Sequence, residues 1–65
     1  MLITVKALAE EAGWAVETVY EFAARKSDPL PVRYLPGRKR RGVVIEGEFR
    51  EWMERNSTLY SERFG

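Results

Sequence analysis

The chain contains neither cysteine nor histidine among its 65 residues. Disulfide bonds, thiolate zinc sites and imidazole acid–base chemistry are therefore excluded, and the fold must be held together by packing. A domain of this size buries only about 60% of its unfolded surface, which argues against a large catalytic cleft. The sequence also lacks a nucleophile–base pairing, a metal-ligand cluster and a phosphate-cradling loop. We expect no enzymatic activity, no metal or other cofactor, and no small-molecule substrate.

Long apolar runs are missing as well. The longest ones extend over a few residues, whereas a transmembrane helix needs about 20. The first residues do not show the charged and then apolar order of a signal peptide. These absences predict a soluble cytoplasmic protein that has no membrane partner.

Positive charge is concentrated in one part of the chain, although the net charge is only +1. Residues 25–41 contain seven of the eleven cations and a single carboxylate. Residues 1–24 contain one lysine against four glutamates, and residues 42–65 contain three arginines against five glutamates. An uneven distribution of this kind is typical of a domain that presents one basic surface to a polyanion.

The most basic stretch is Gly37-Arg38-Lys39-Arg40-Arg41-Gly42. β-Branched and aromatic residues before it, at 32–35, and after it, at 43–45, predict two short strands. The four cations then fall in the loop of a β-hairpin, with Arg33 on its first strand. A solvated turn is the simplest alternative for a basic tetrad, and an acidic protein is an alternative partner.

Two short helices are predicted before the hairpin, after an apolar lead-in at residues 1–3. Thr4 is placed to cap the first helix, and Gly13 suits the left-handed position that follows its last turn. The second helix has Ala15 as a weak cap and is expected to end near Arg25-Lys26. Apolar residues recur at helical spacing in both helices, namely Val5, Leu8, Ala9, Ala12, Val16, Val19, Phe22 and Ala23.

A glycine-containing turn between two short helices is the signature of a helix-turn-helix, although any small helical hairpin gives the same pattern. A third amphipathic helix is predicted from Glu46, with Phe49, Trp52 and Met53 on its apolar face. The predicted domain covers residues 1–56. Residues 57–65 are expected to be a short tail without structure of its own.

The order of helix, turn, helix, hairpin and helix corresponds to a small winged helix, an α+β fold. The segment from Gly13 to Phe22, with Thr18-Val19-Tyr20 inside it, resembles the G-x-x-x-x-T-V-Y-x-W/F core of excisionase-type DNA-binding domains. These domains are relatives of the mercury-resistance-regulator winged helices. The likeness extends through Pro29-Leu30-Pro31-Val32, the basic turn and Phe49-x-x-Trp52, and covers about residues 2 to 55. Glu17-Thr18-Val19 in particular is similar to lambda-type phage excisionases.

The resemblance implies that the second helix enters the major groove of double-stranded DNA and that the hairpin wing reaches the adjacent minor groove or backbone. Excisionases bind and bend attachment-site DNA and help integrase to run excision, so integrase and further copies of the chain are implied partners. A small transcriptional regulator of phage or mobile-element genes is the alternative function. The residues expected to contact DNA are Val16, Glu17, Thr18, Tyr20, Glu21, Arg25 and Lys26 of the recognition helix, and Arg33, Arg38, Lys39, Arg40 and Arg41 of the wing.

The predicted recognition helix is acidic on its exposed face. Glu17 and Glu21 stand where many relatives have arginine. A glutamate carboxylate can accept a hydrogen bond from the exocyclic amine of cytosine, whereas it repels base atoms that are themselves acceptors. Glu17 is therefore interpreted as a contact that discriminates between sequences, and Tyr20 as a donor to a phosphate.

Overall fold

Helices pack on a three-stranded antiparallel sheet in this computed structural model, which describes residues 1–37 and 42–64. The predicted α+β class is confirmed. The described residues include no helix with the length and apolar character needed to cross a membrane. In chain order the elements are β1 (Leu2–Thr4), α1 (Val5–Ala12), α2 (Val16–Ala23), β2 (Val32–Tyr34), β3 (Gly42–Ile45), α3 (Glu46–Asn56) and α4 (Tyr60–Phe64).

The sheet has the strand order β1-β3-β2, so β3 is the central strand. Val44 faces Ile3 on one side and Val32 on the other, and it is fully buried. The interpretation of residues 1–3 as a simple lead-in was wrong, because Leu2–Thr4 forms an edge strand. This strand pairs with a segment about 40 residues further along the chain, and the amide of Glu46 extends the pairing with a 2.8 Å hydrogen bond to the carbonyl of Met1.

Helix α1 has the caps that its sequence predicts. The hydroxyl of Thr4 accepts a 3.0 Å hydrogen bond from the amide of Ala7, which satisfies one of the unpaired donors at the helix start. Gly13 adopts a left-handed conformation with φ of 74° and ends the helix. Both ends of α1 are therefore determined by local chemistry.

Helix α2 begins without a side-chain cap at Ala15, as expected, but it ends at Ala23 and not near Arg25-Lys26. In a continuing helix, the carbonyl of Phe22 would accept from the amide of Lys26. It accepts instead from the amide of Leu30 at 3.1 Å, because the chain turns back toward the core. The predicted helix end was thus two to three residues too late.

The hydrophobic core joins the helices to the sheet. Val5, Leu8, Ala9, Val19 and Trp52 are buried, as helical spacing predicts. Ala12 and Val16 are exposed, contrary to that pattern. A buried residue that helical spacing did not identify lies in the loop after α2, where Leu30 stands between two prolines.

The hairpin strands and the C-terminal helices differ in detail from the prediction. Strand β2 ends at Tyr34, one residue earlier than expected, and β3 begins one residue earlier, at Gly42. Helix α3 begins at Glu46, as predicted. The tail is not without structure: its residues 60–64 form α4, where the Glu62 carboxylate accepts from the amide of Leu59 at 3.2 Å.

Candidate nucleic-acid interface

A tight turn fixes α2 against α1. The amide of Trp14 donates a 2.8 Å hydrogen bond to the carbonyl of Ala9, and the Trp14 ring meets Phe22 edge to face at 5.4 Å between ring centroids. Trp14 is partly buried and packs against the core. The two helices therefore form one packed unit, in which α2 has a defined exposed face.

The exposed face of α2 is acidic. Val19 is fully buried, whereas Glu17 and Glu21 are exposed, as the helical period predicted. Val16 is exposed at the first position of the helix, and Thr18 is partly buried beside this face. Like charges one turn apart repel, so this pair contributes nothing to the stability of the isolated helix. The face can accept hydrogen bonds from donors and repels phosphates.

Tyr20 points away from that face and toward the hairpin. The side chain is partly buried and packs on the core, and its hydroxyl oxygen accepts a 3.3 Å hydrogen bond from the amide of Gly42. Desolvation raises the pKa of Tyr34 above its ordinary value, and the neighbouring Tyr20 adds to the effect. Tyr20 therefore joins α2 to the base of the hairpin, a role that its position on the helix did not suggest.

Arg25 and Lys26 lie beyond the end of α2. The guanidinium carbon of Arg25 is 5.8 Å from the centroid of the Trp52 ring, within the range of a cation–π contact. Lys26 is exposed in the loop that follows. These two cations are therefore presented by the loop after α2 and not by its last turn.

Arg33 is paired with a carboxylate of α3. Its Nε and one terminal nitrogen donate hydrogen bonds of 2.9 and 2.6 Å to the two oxygens of Glu48. This bidentate contact raises the pKa of Arg33 and lowers the pKa of Glu48. Arg33 thus has a protein partner, and its contact with DNA stays a prediction. The other residues predicted for the wing, Arg38, Lys39, Arg40 and Arg41, lie outside the described residues.

Asp28 organises the loop between α2 and the hairpin, and sequence reasoning missed this role. Its carboxylate accepts two hydrogen bonds of 2.9 Å from Arg55 and one of 2.8 Å from Asn56. Its backbone has a φ of 47°, an uncommon conformation that aspartate tolerates better than most residues. Only the sequence Ser27-Asp28-Pro29, a break after the helix, signalled a turn at this point.

Comparison with known proteins identified no relative of the chain. No family model, curated protein or solved structure matches the chain. The chemistry of the described residues is therefore the basis for assigning a function.

Three features of the described residues bear on binding. An acidic helix face is presented by α2, with Glu17 near its start. The hairpin base is joined to that helix through Tyr20. The strand ends at Tyr34 and Gly42 are paired, so they bring the two ends of the basic segment together. Together these features place an acidic helix face beside the two ends of the basic segment.

Proposed function

We propose that this chain is a winged-helix DNA-binding protein. In this proposal α2 enters the major groove and the β2–β3 hairpin serves as the wing. The observation that carries it is the pairing of Tyr34 with Gly42, because the segment between them contains four consecutive cations. This basic segment connects two paired strands, and in the chain it follows two helices that are joined by a tight turn.

The basic connection supplies the affinity. Four adjacent like charges repel one another, so their concentration in one loop does not favour the free fold. Neutralising phosphates with such charges releases condensed counterions and gives affinity for DNA of any sequence. Arg25 and Lys26, in the loop after α2, are placed to add phosphate contacts.

Helix α2 supplies the selection. Its exposed carboxylates repel phosphates, so the helix gains affinity only where a base edge offers a donor. Glu17 lies in the first turn of α2, where helix-turn-helix proteins make many of their base contacts. Its oxygens can accept from the exocyclic amine of cytosine. The result is no non-specific attraction by the helix, and discrimination at a cytosine.

The biological role that we propose comes from the likeness to excisionases. This likeness covers residues 13–22 and the proline and basic segments that follow. The chain binds attachment-site DNA, bends it and assists integrase in excision. Regulation of phage or mobile-element genes uses the same DNA contacts. Footprinting on the DNA of its own element separates the two, because protection at integrase arm sites indicates excision and protection at promoters indicates regulation.

The test of DNA binding is a titration of random-sequence duplex over a salt series, read by fluorescence anisotropy. We expect the logarithm of affinity to fall steeply with the logarithm of salt, by about 0.9 for each phosphate contact. A triple variant of the hairpin loop, with Lys39, Arg40 and Arg41 changed to alanine, should bind more weakly and show a flatter slope.

A charge-matched variant provides the control. Changing Lys6, Arg50 and Arg63 to alanine also removes one lysine and two arginines, from exposed positions on three helices outside the hairpin. This variant should keep the wild-type salt slope. Equal losses in the two triple variants would assign the binding to net charge and refute a role for the hairpin. A wild-type protein without salt-dependent binding would refute DNA as the partner and favour an acidic protein.

A further inference from the structure

We propose that Tyr20 is a positioning residue that locks the base of the hairpin to α2. The helix face and the paired strand ends at Tyr34 and Gly42 then meet DNA in one fixed relative orientation. This inference rests on the proposed function, since it concerns how two DNA-contacting elements are held relative to each other. Tyr20 itself need not touch DNA.

The contact lies where the hairpin leaves the body of the protein. The Tyr20 hydroxyl oxygen accepts a hydrogen bond from the amide of Gly42 at 3.3 Å. Tyr34 and Gly42 face each other in the strand register, and they form the last described pair before the basic segment. One side chain of α2 therefore contacts the start of β3, next to the basic segment.

Gly42 shows how closely the helices approach this point. A Cβ atom on Gly42 would lie 2.6 Å from a methyl carbon of Val32, 3.0 Å from the Tyr20 hydroxyl oxygen and 3.0 Å from a methyl carbon of Val5. Val5 belongs to α1, so side chains from both helices lie close to the backbone of Gly42. The absence of a side chain at Gly42 is what lets Tyr20 reach its amide, and it leaves the hairpin base little freedom to rotate.

A locked base matters because two-point binding depends on geometry. When the loop binds a phosphate, a rigid frame presents α2 to the groove in one orientation. No further conformational entropy is then lost in orienting α2 for the second contact. A loose base would let the loop bind phosphates without placing the helix. Specific binding would then weaken, whereas binding to random DNA, which depends on charge, would not.

The test uses Tyr20→Phe in the full chain, which keeps the ring, removes the hydroxyl and changes no charge. The specific duplex is the best site that the wild-type protein selects from a random pool, and the random duplex is the reference. At a temperature where both proteins are folded, we expect the ratio of specific to random affinity to fall at least about fivefold, the effect of roughly one hydrogen bond. The salt slope on random duplex should stay unchanged.

Two further tyrosine variants calibrate this result. Tyr34→Phe removes a hydroxyl from the opposite strand end but keeps the bond from Gly42, so it should lower the ratio less than Tyr20→Phe does. Tyr60→Phe removes a hydroxyl from the exposed α4 and should leave the ratio at the wild-type value. If Tyr20→Phe proves unfolded, amide exchange in the wild-type protein decides the matter, and a Gly42 amide that exchanges as fast as a solvent-exposed amide overturns the proposal.

Amide hydrogen exchange at Gly42 adds a readout that does not involve DNA. Exchange should accelerate in Tyr20→Phe, since the acceptor of that amide is lost. A folded Tyr20→Phe that exchanges faster but keeps the wild-type binding ratio would show a purely structural role and overturn the proposal. Unchanged exchange would overturn it too. Failure of the wild-type protein to bind random duplex in a salt-dependent way would be a different result, because it refutes the proposed function itself.

Discussion

The indole nitrogen of Trp52 donates a 2.7 Å hydrogen bond to the backbone carbonyl of Asp28. The same aspartate accepts through its carboxylate from Arg55 and Asn56, one turn further along α3. The loop after α2 is therefore attached to α3 through both its backbone and a side chain. This attachment holds the loop that connects the end of α2 to the start of β2.

Trp52→Phe should destabilise the fold by about 2–3 kcal/mol. The change removes the donor to Asp28 and leaves a void in the core, since Trp52 is only 3% exposed. Urea denaturation followed by circular dichroism measures the loss. Trp14→Phe makes the same chemical change at a partly buried position and should cost less. Equal losses at the two tryptophans would mean that the bond to Asp28 contributes little.

Stability should depend on acid through Asp28. Hydrogen bonds from Arg55, and then from Asn56, lower the pKa of Asp28 from its ordinary value of 3.8 to about 2. A carboxyl whose pKa is depressed by folding stabilises the native state fully above the unfolded value, and this contribution is lost as pH falls toward the folded value. The melting temperature of the wild-type protein should therefore fall between pH 4 and pH 2, as protonation of Asp28 removes its contribution to stability.

The substitution Asp28→Asn isolates the contribution of the Asp28 carboxylate to stability. Asparagine tolerates the left-handed backbone at this position, so the substitution removes the charge without new strain. The variant should melt below the wild-type protein at neutral pH, and the two curves should converge at about pH 2. Glu48, whose pKa is lowered by Arg33, contributes acid dependence to both proteins. A gap between the two curves that stayed constant with pH would contradict the assignment.

Two glycines should respond in opposite ways to alanine. Gly42→Ala places a methyl group 2.6 Å from Val32 in a packed region and should destabilise by about 1–3 kcal/mol. Gly47 lies near the start of α3, where an added Cβ meets nothing within 4 Å. Gly47→Ala should raise stability by about 0.4–1 kcal/mol, because alanine restricts the unfolded chain. Chemical denaturation compares them, and a neutral Gly42→Ala would refute the close approach at the hairpin base.

Local chemistry made part of this fold predictable. The ends of α1 follow from Thr4 and Gly13, each of which acts within a few residues of itself. The apolar face of α3 follows from the spacing of Phe49, Trp52 and Met53. Such signals lie in adjacent residues, so a sequence carries them whatever the tertiary structure.

Contacts between distant segments account for what was missed. Strand β1 has three residues, too few to show alternation, and it is stabilised by pairing with β3. The helical period places Tyr20 beside the exposed face, but the acceptor role of its hydroxyl depends on an amide 22 residues away. Asp28 likewise meets partners 27 and 28 residues later. The acidic face of α2 needed only the helical period and was predicted.

The tail should be dispensable for folding. Leu59, Tyr60 and Phe64 are 67%, 79% and 66% exposed, so their removal uncovers little buried surface. A chain ended after Thr58 should match the full chain within about 0.5 kcal/mol in urea denaturation. A chain ended after Glu54 also loses Arg55 and Asn56, the partners of Asp28, and should be clearly less stable. A large loss in the first variant would place the tail in the folded core.

Glu17→Ala should relax sequence preference without weakening binding to random DNA. The carboxylate is exposed near the start of α2, where it repels phosphates and gains only from a base donor such as the cytosine amine. Loss of one good base contact costs about 1–3 kcal/mol on the preferred site, while random duplex should be bound equally or more tightly. Anisotropy titrations on the selected site and on random duplex measure both. Glu10→Ala removes the same charge from α1 and should keep the preference. Parallel changes on the two duplexes in Glu17→Ala would show that Glu17 acts through net charge alone.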